Sequence, residues 1–202
     1  TFWPVLNGRY DMMIVSELKN KMAFSLIRLS SYVGIVVSLL VGFVFSLYIY
    51  LSKSDIPLLS TMIFIPTILI LLSFQNIISA YNNREKNYKV LAVANVIKNF
   101  FQYIGPILIG ILYRSANSLL IAYLVGILVS LLFQYKEIKD HVNYIISLEI
   151  KDLITVQKKY KNQPLFSAPA ILANTISYSI ITIFIEYLYD LNTVGFYSIS
   201  TR

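Results

Sequence analysis

The residues of this chain best placed to do chemistry lie inside an apolar stretch. Asn95, Lys98, Asn99 and Gln102 fall three and four apart within the hydrophobic run Tyr88–Tyr113, so on a helix they share one face. Gly105 and Pro106 follow about one turn later and predict a kink there. Lys98 stands ten residues into the run, about 15 Å from its near end at ~1.5 Å per residue, close to the middle of a bilayer. An ammonium at that depth costs from ~2.5 to more than ~10 kcal/mol, so it must face a wet cavity or a partner. The adjoining amides suggest a hydrated lumen beside it; the alternative is a lysine that snorkels or pairs with a neighbouring carboxylate.

Other polar residues inside apolar runs are fewer. Arg28 lies about two turns into the first run, where its stem can snorkel to the headgroups or its charge can enter a cavity. Asn174, with Thr175, Ser177 and Tyr178, stands midway between Pro169 and Glu186, a polar middle that suits a bending, cavity-lining helix. Glu186 is placed for solvation or, alternatively, for ion coupling. The chain has no cysteine and a single histidine, His141, so disulfides, thiolate metal sites and cysteine nucleophiles are excluded and nothing supports a zinc site. It shows no glycine-rich phosphate loop, Ser–His–Asp set or paired carboxylates. No catalytic residue, metal or cofactor is expected.

The elements that must position these residues are five apolar runs: Met22–Leu51, Ile56–Ala80, Tyr88–Tyr113, Ser115–Tyr135 and Pro164–Leu188. Each reaches the ~20 residues a helix needs to cross the hydrocarbon core, and lipid permits such runs only as helices. The expectation is an all-α, polytopic transmembrane bundle. Hydrophobic residues at 57% against 13% charged agree with a multi-pass membrane protein. The net charge of +7 belongs to loops beside the runs and not to a nucleic-acid-binding face. Residues 1–21, 81–89 and 136–163 hold twelve cations, from Arg9 to Lys161, whereas the opposite loops hold only Lys53 and Arg114. That asymmetry predicts that the basic loops are cytoplasmic.

Small residues recur every fourth position in the first run (Ser30, Gly34, Ser38, Gly42, Ser46) and the fourth (Ser118, Ala122, Gly126, Ser130). Such ladders predict close helix packing in lipid. Tyrosines at the run ends, including Tyr81, Tyr88 and Tyr135, read as interfacial anchors, and Gln75 and Asn76 as helix-to-helix hydrogen bonds. Between the fourth and fifth runs, Val142, Ile146, Ile150, Leu153 and Ile154 approximate one face of an interfacial amphipathic helix. The organisation is then a first-lobe portion over 1–135, a connector over 136–163 and the start of a second lobe over 164–202.

Three stretches together carry a resemblance: Gly8–Asp11 (GRYD), Leu72–Lys89 (LSFQNIISAYNNREKNYK) and Lys158–Ala170 (KKYKNQPLFSAPA), with Val194–Arg202 (VGFYSISTR) at the end. In their order and spacing they resemble the bacterial polysaccharide biosynthesis, or oligosaccharide flippase (Wzx-type), family of the multidrug/oligosaccharidyl-lipid/polysaccharide exporter superfamily. The resemblance implies two pseudo-symmetric six-helix lobes, with this chain an internal fragment covering the third to seventh helices. It implies transport of undecaprenyl-diphosphate-linked oligosaccharide across the bacterial inner membrane by alternating access, with membrane lipids and other polysaccharide-assembly proteins as partners. Lys98 and Arg28 would then hold the diphosphate or acidic sugar, and Asn95, Asn99, Gln102 and Asn174 the hydroxyls. Arg9 and Asp11 match an Arg-Tyr-acidic pattern at the cytoplasmic mouth, where an ion pair would steady one state of the cycle. The alternatives are export of a drug or another lipid precursor, disfavoured for a cationic cargo by the positive charge, and a membrane polymerase or acyltransferase, disfavoured by short outer loops. A purely structural scaffold would leave Lys98 dispensable.

Overall fold

A computed structural model describes residues 5–52, 58–112, 116–189 and 191–200. Among these residues all regular structure is helical. The helices are α1 (Tyr10–Ser16), α2 (Asn20–Leu51), α3 (Leu58–Arg84), α4 (Tyr88–Leu112), α5 (Ala116–Tyr135), α6 (Val142–Ser147), α7 (Ile150–Lys159), α8 (Ala168–Leu188) and α9 (Leu191–Ser200). A 3-10 turn, Lys139–His141, precedes α6, and a π turn, Gln163–Ser167, leads into α8. The expected positions Lys53 and Arg114, and the side chain of Ser118, lie outside the described residues.

The long helices are set by apolar composition and stopped by backbone chemistry. Lys86 has φ of 60°, and the Asn87 N–H donates to the Asn82 carbonyl at 2.9 Å, a left-handed closure that ends α3 and starts α4 within three residues. The helix α3 therefore runs on past Ala80 to Arg84. Despite this tight turn, α4 packs mainly on α5, and α5 packs on α3, which packs on α2. The row order is accordingly α2, α3, α5, α4.

Glycines and serines make the row close. Ser30, Gly34, Ser38, Gly42 and Ser46 are all buried. A methyl group on Gly34 would come within 1.9 Å of Ser73 Oγ, and one on Gly42 within 2.4 Å of Pro66 Cγ, so the ladder of α2 is the seam with α3. The ladder of α5 serves two neighbours. Gly126 meets Phe101 of α4, its added methyl falling 2.8 Å from Phe101 Cβ, while Ser130 accepts a hydrogen bond from Gln75 of α3 at 3.3 Å.

Three helical segments, Asn20–Leu51, Met62–Arg84 and Gln163–Leu188, are long and apolar enough to cross a membrane. A fourth would be the pair Leu120–Tyr135 and Lys139–Ser147, bent by 72°. The helix α4, expected as a span, carries Asn95, Lys98, Asn99 and Gln102 and is not among them. At 32 residues, α2 is about 48 Å long, against a hydrocarbon thickness of ~30 Å. Its first turns lie among protein instead: Ala23, Leu26, Ile27 and Leu29 are buried with Tyr10 and Ile14 of α1, Ile77 of α3 and Leu153 of α7. Farther along, Leu39, Leu40, Phe43 and Val44 are exposed, as a lipid-facing surface should be.

The connector departs from a single helix face. It breaks at Leu148 and Glu149, whose backbones are extended, and the break resets the helical phase. Ile145, Leu148, Leu153 and Val156 turn inward, while Ile146, Ile150 and Ile154 stay exposed. Tyr81 also differs from the expected interfacial anchor. It is 4% exposed, with its ring 6.3 Å from those of Phe24 and His141. Tyr88 and Tyr135 are exposed as anchors should be.

Candidate functional site

Three segments expected on one side of the membrane meet at one end of the row. The N-terminal segment enters through Gly8 and Arg9, both left-handed with φ of 57° and 63°, a conformation that suits glycine and strains arginine. This bend buries Asn7 between α2 and α3, where its Nδ2 donates to the Ser73 carbonyl at 3.1 Å and its Oδ1 accepts from Ser73 Oγ at 2.5 Å.

At the joint between α1 and α2 stands Glu17, 5% exposed. It accepts hydrogen bonds from Lys159 Nζ at 2.5 Å, from the Tyr160 hydroxyl at 2.5 Å and from the Lys19 N–H at 3.2 Å. Arg84, at the end of α3, donates to the carbonyls of Ile14 and Glu17 and to Asn20 Oδ1. Lys21 pairs with Asp152 of α7 at 2.8 Å, and Arg28 donates to the Leu148 carbonyl. The connector is thus fastened to α1 and α2 at several points along its length.

Burial pushes the Glu17 carboxyl up, but the bonds from Lys159, Tyr160 and the Lys19 N–H outweigh it and hold the group down at about 2, against an ordinary 4.5. A depressed folded pKa stabilises the clasp fully above pH 4.5 and loses that contribution as pH falls towards 2. Spin labels on α2 and α7 should keep a constant separation from neutral pH down to that window and then spread. The Glu17→Gln variant should lack this step; the same profile in both proteins would remove Glu17 from the clasp.

The residues singled out by type and spacing are distributed differently. Lys98 sits half-buried on the α4–α5 seam, its carbonyl 3.2 Å from where a Gly126 methyl would stand. Its ammonium has no hydrogen bond or ion pair among the described residues. Asn95 and Asn99 are exposed and Gln102 is partly buried. Asn174 and Glu186 are exposed on α8, which packs chiefly on the π turn and α9. Arg28 lies on α2, with two helices between it and α4 in the row, and its Nε and Nη2 donate to the Tyr32 hydroxyl at 3.3 and 3.2 Å. The structure therefore groups Lys98 with its neighbouring amides on α4 but does not bring Arg28 or Asn174 to them.

Arg9 and Asp11 do not form the expected ion pair. Arg9 Nε and Asp11 Oδ1 are both buried without a hydrogen-bond partner among the described residues. Burial pushes the Asp11 carboxyl up, with the Arg9 charge opposing it. The charged contacts at this end are instead Glu17 with Lys159 and Lys21 with Asp152. Sequence reading counted Lys159 only as a loop cation, because nothing local links it to a carboxylate 142 positions earlier. The available signal was a lone acidic residue directly before a long apolar helix.

The chain matches no family model, no curated protein and no solved structure.

Proposed function

We propose that the chain is part of a membrane transporter that moves a lipid-linked, anionic oligosaccharide between leaflets, as its resemblance to the oligosaccharide flippases implies. The observation that carries this reading is Lys98. It is a half-buried cation in the middle of α4, flanked by amides and without a partner among the described residues. An anionic cargo supplies the missing counter-charge, and the amides suit its hydroxyl groups. On this reading α4 and α5 also span, α4 tolerating its polar stripe because that stripe borders a wet path.

The cargo needs no covalent step. Its lipid tail stays in the bilayer while the polar head crosses beside Lys98, and the two lobes rock about the site. The clasp of Glu17, Lys159 and Tyr160 holds the connector against the first lobe and so keeps the junction between lobes rigid as they rock. The exposed apolar flank of α8 is then covered by the second lobe.

The test is restoration of surface polysaccharide in a bacterial host that lacks its own flippase, by the whole transporter containing this chain. Lys98→Gln, at membrane abundance matched to wild type, should lower surface polysaccharide at least about tenfold, the effect of removing ~1.4 kcal/mol of cargo stabilisation. Equal rescue would take Lys98 out of the path. Failure of the wild type with every lipid-linked donor supplied would count against the flippase reading.

A further inference from the structure

A groove of about 530 Å³ opens between α2, α3, α5 and α6. Its walls are apolar, with Ile35 of α2, Phe74 of α3, Leu128 and Leu132 of α5 and Ile146 of α6 among them, and Arg28 and Tyr32 stand on its edge. We propose that this groove binds one acyl chain of an anionic phospholipid, from the leaflet at the connector end, with its phosphate held by Arg28.

Depth supports this occupant. The last twenty residues of α2, from Tyr32 to Leu51, are about the length needed to cross the hydrocarbon. Arg28 then falls one turn outside it, at headgroup level. On the other wall, the 20-residue α5 ends at Tyr135, which also lines the groove and is 43% exposed. Tyr32 and Tyr135 thus mark one interfacial level on both walls. From Arg28 the groove reaches Ile35 on α2 and Leu128 on α5, about 10 Å down at ~1.5 Å per residue. This remains within one leaflet of a ~30 Å core, so the groove takes part of one chain and not a spanning helix.

Charge supports it as well. The guanidinium of Arg28 uses Nε, Nη1 and Nη2 on the Tyr32 hydroxyl and the Leu148 carbonyl. A guanidinium carries five N–H donors, so two remain. No carboxylate pairs with it among the described residues. A cation at the mouth of an apolar groove, with two N–H donors unused, is complementary to a phosphate whose tail enters the groove. The site holds whether or not the chain transports a saccharide.

Native mass spectrometry of the detergent-purified protein tests the proposal, after incubation with phosphatidylglycerol or phosphatidylcholine of equal chain length. Wild type should retain one phosphatidylglycerol at roughly fivefold higher occupancy than phosphatidylcholine, the preference one basic side chain gives near an anionic headgroup. Arg28→Gln should erase the preference. Leu132→Trp, which fills the chain groove and leaves Arg28 in place, should lower the occupancy of both lipids, with an unchanged melting midpoint in lipid-free detergent showing that it folds. Equal occupancy of the two lipids in wild type would overturn the proposal. So would phosphatidylglycerol retention unaffected by either variant, or a lipid-free dimer in which a second copy covers the groove.

Discussion

Replacing Gly34 with alanine should destabilise this protein more than the same change at any of the other described glycines. The new carbon would stand 1.9 Å from Ser73 Oγ, 2.6 Å from Asn7 Oδ1 and 3.0 Å from Ser73 Cβ. The new carbon is fixed by the backbone of α2, and although Ser73 Oγ and Asn7 Oδ1 can rotate away, Ser73 Cβ cannot. Either α2 and α3 separate or Ser73 and Asn7 give up their paired hydrogen bonds inside the protein. Overpacking of this kind costs ~1–3 kcal/mol, and each buried polar group left without a partner adds ~1–3 kcal/mol. A total of about 4 kcal/mol corresponds to a fall of roughly 8–16 °C in melting midpoint for a chain of this length. Scanning calorimetry or tryptophan-independent thermal unfolding in detergent reads it directly. The double variant Gly34→Ala/Ser73→Gly should recover part of the loss, since only Asn7 Oδ1 then crowds the methyl. Gly195→Ala is the control: nothing lies within 4 Å of its added carbon, so it should be neutral or gain ~0.5–1 kcal/mol. A Gly34→Ala midpoint equal to wild type would mean that α2 and α3 do not pack along this seam.

That seam was legible in the sequence because its cause is local and periodic. A small residue every fourth position can only mark a stripe on a helix, and in lipid such a stripe is where another backbone approaches. Which helix approaches is not in the spacing. The ladder of α2 takes α3, whereas the ladder of α5 is shared, with Gly126 against α4 and Ser130 against α3. Gln75, read as a bond between helices, makes one to Ser130. Helix bounds were legible to a few residues for the same reason, apart from α3, whose polar last turn is held by Arg84 and Asn87 beyond its apolar run.

The connector was less legible. Its hydrophobic residues fit one face only while the helix is continuous, and the extended pair Leu148 and Glu149 breaks it. Charge pairing was hidden altogether. Sign asymmetry between loops assigns them to one side of a membrane, but it carries no information about which cation meets which carboxylate. Glu17 and Lys159 find each other because α1 turns back at its joint with α2 and α7 runs beside it. Arg9 and Asp11, closer in sequence, make no ion pair or hydrogen bond with each other, although the Arg9 charge acts on the Asp11 carboxyl. The polar stripe of α4 lies between these cases. Its common face follows from spacing, whereas the cargo it would hold does not.

Arg84 links these features, and its loss should have the second large effect. Its side chain is 12% exposed. Nη1 donates to the carbonyls of Ile14 and Glu17, and Nη2 donates to Asn20 Oδ1 at 2.7 Å and to the Leu18 carbonyl at 3.5 Å. Three of these acceptors are backbone carbonyls at the end of α1 and in the joint after it, and the fourth is the Asn20 side-chain amide at the start of α2, so one guanidinium caps the first helix and holds the joint to α3. The joint in turn presents Glu17 to Lys159 and Tyr160. Bonds from a charged donor contribute ~1.5–3 kcal/mol each, and a net loss of about 3 kcal/mol is expected for Arg84→Ala. Hydrogen exchange should show the same variant releasing α1 and α7 together while the α4–α5 pair stays protected, because α4 and α5 pack chiefly on each other and on α3 and not on α1 or α7. Arg84→Lys should restore less than half of the stability, since a single ammonium cannot span acceptors on four residues as a planar fork does. Full recovery by lysine would reduce Arg84 to a loop cation of no fixed geometry, and release of α7 without α1 would place the origin of the clasp in Lys21 and Asp152 instead.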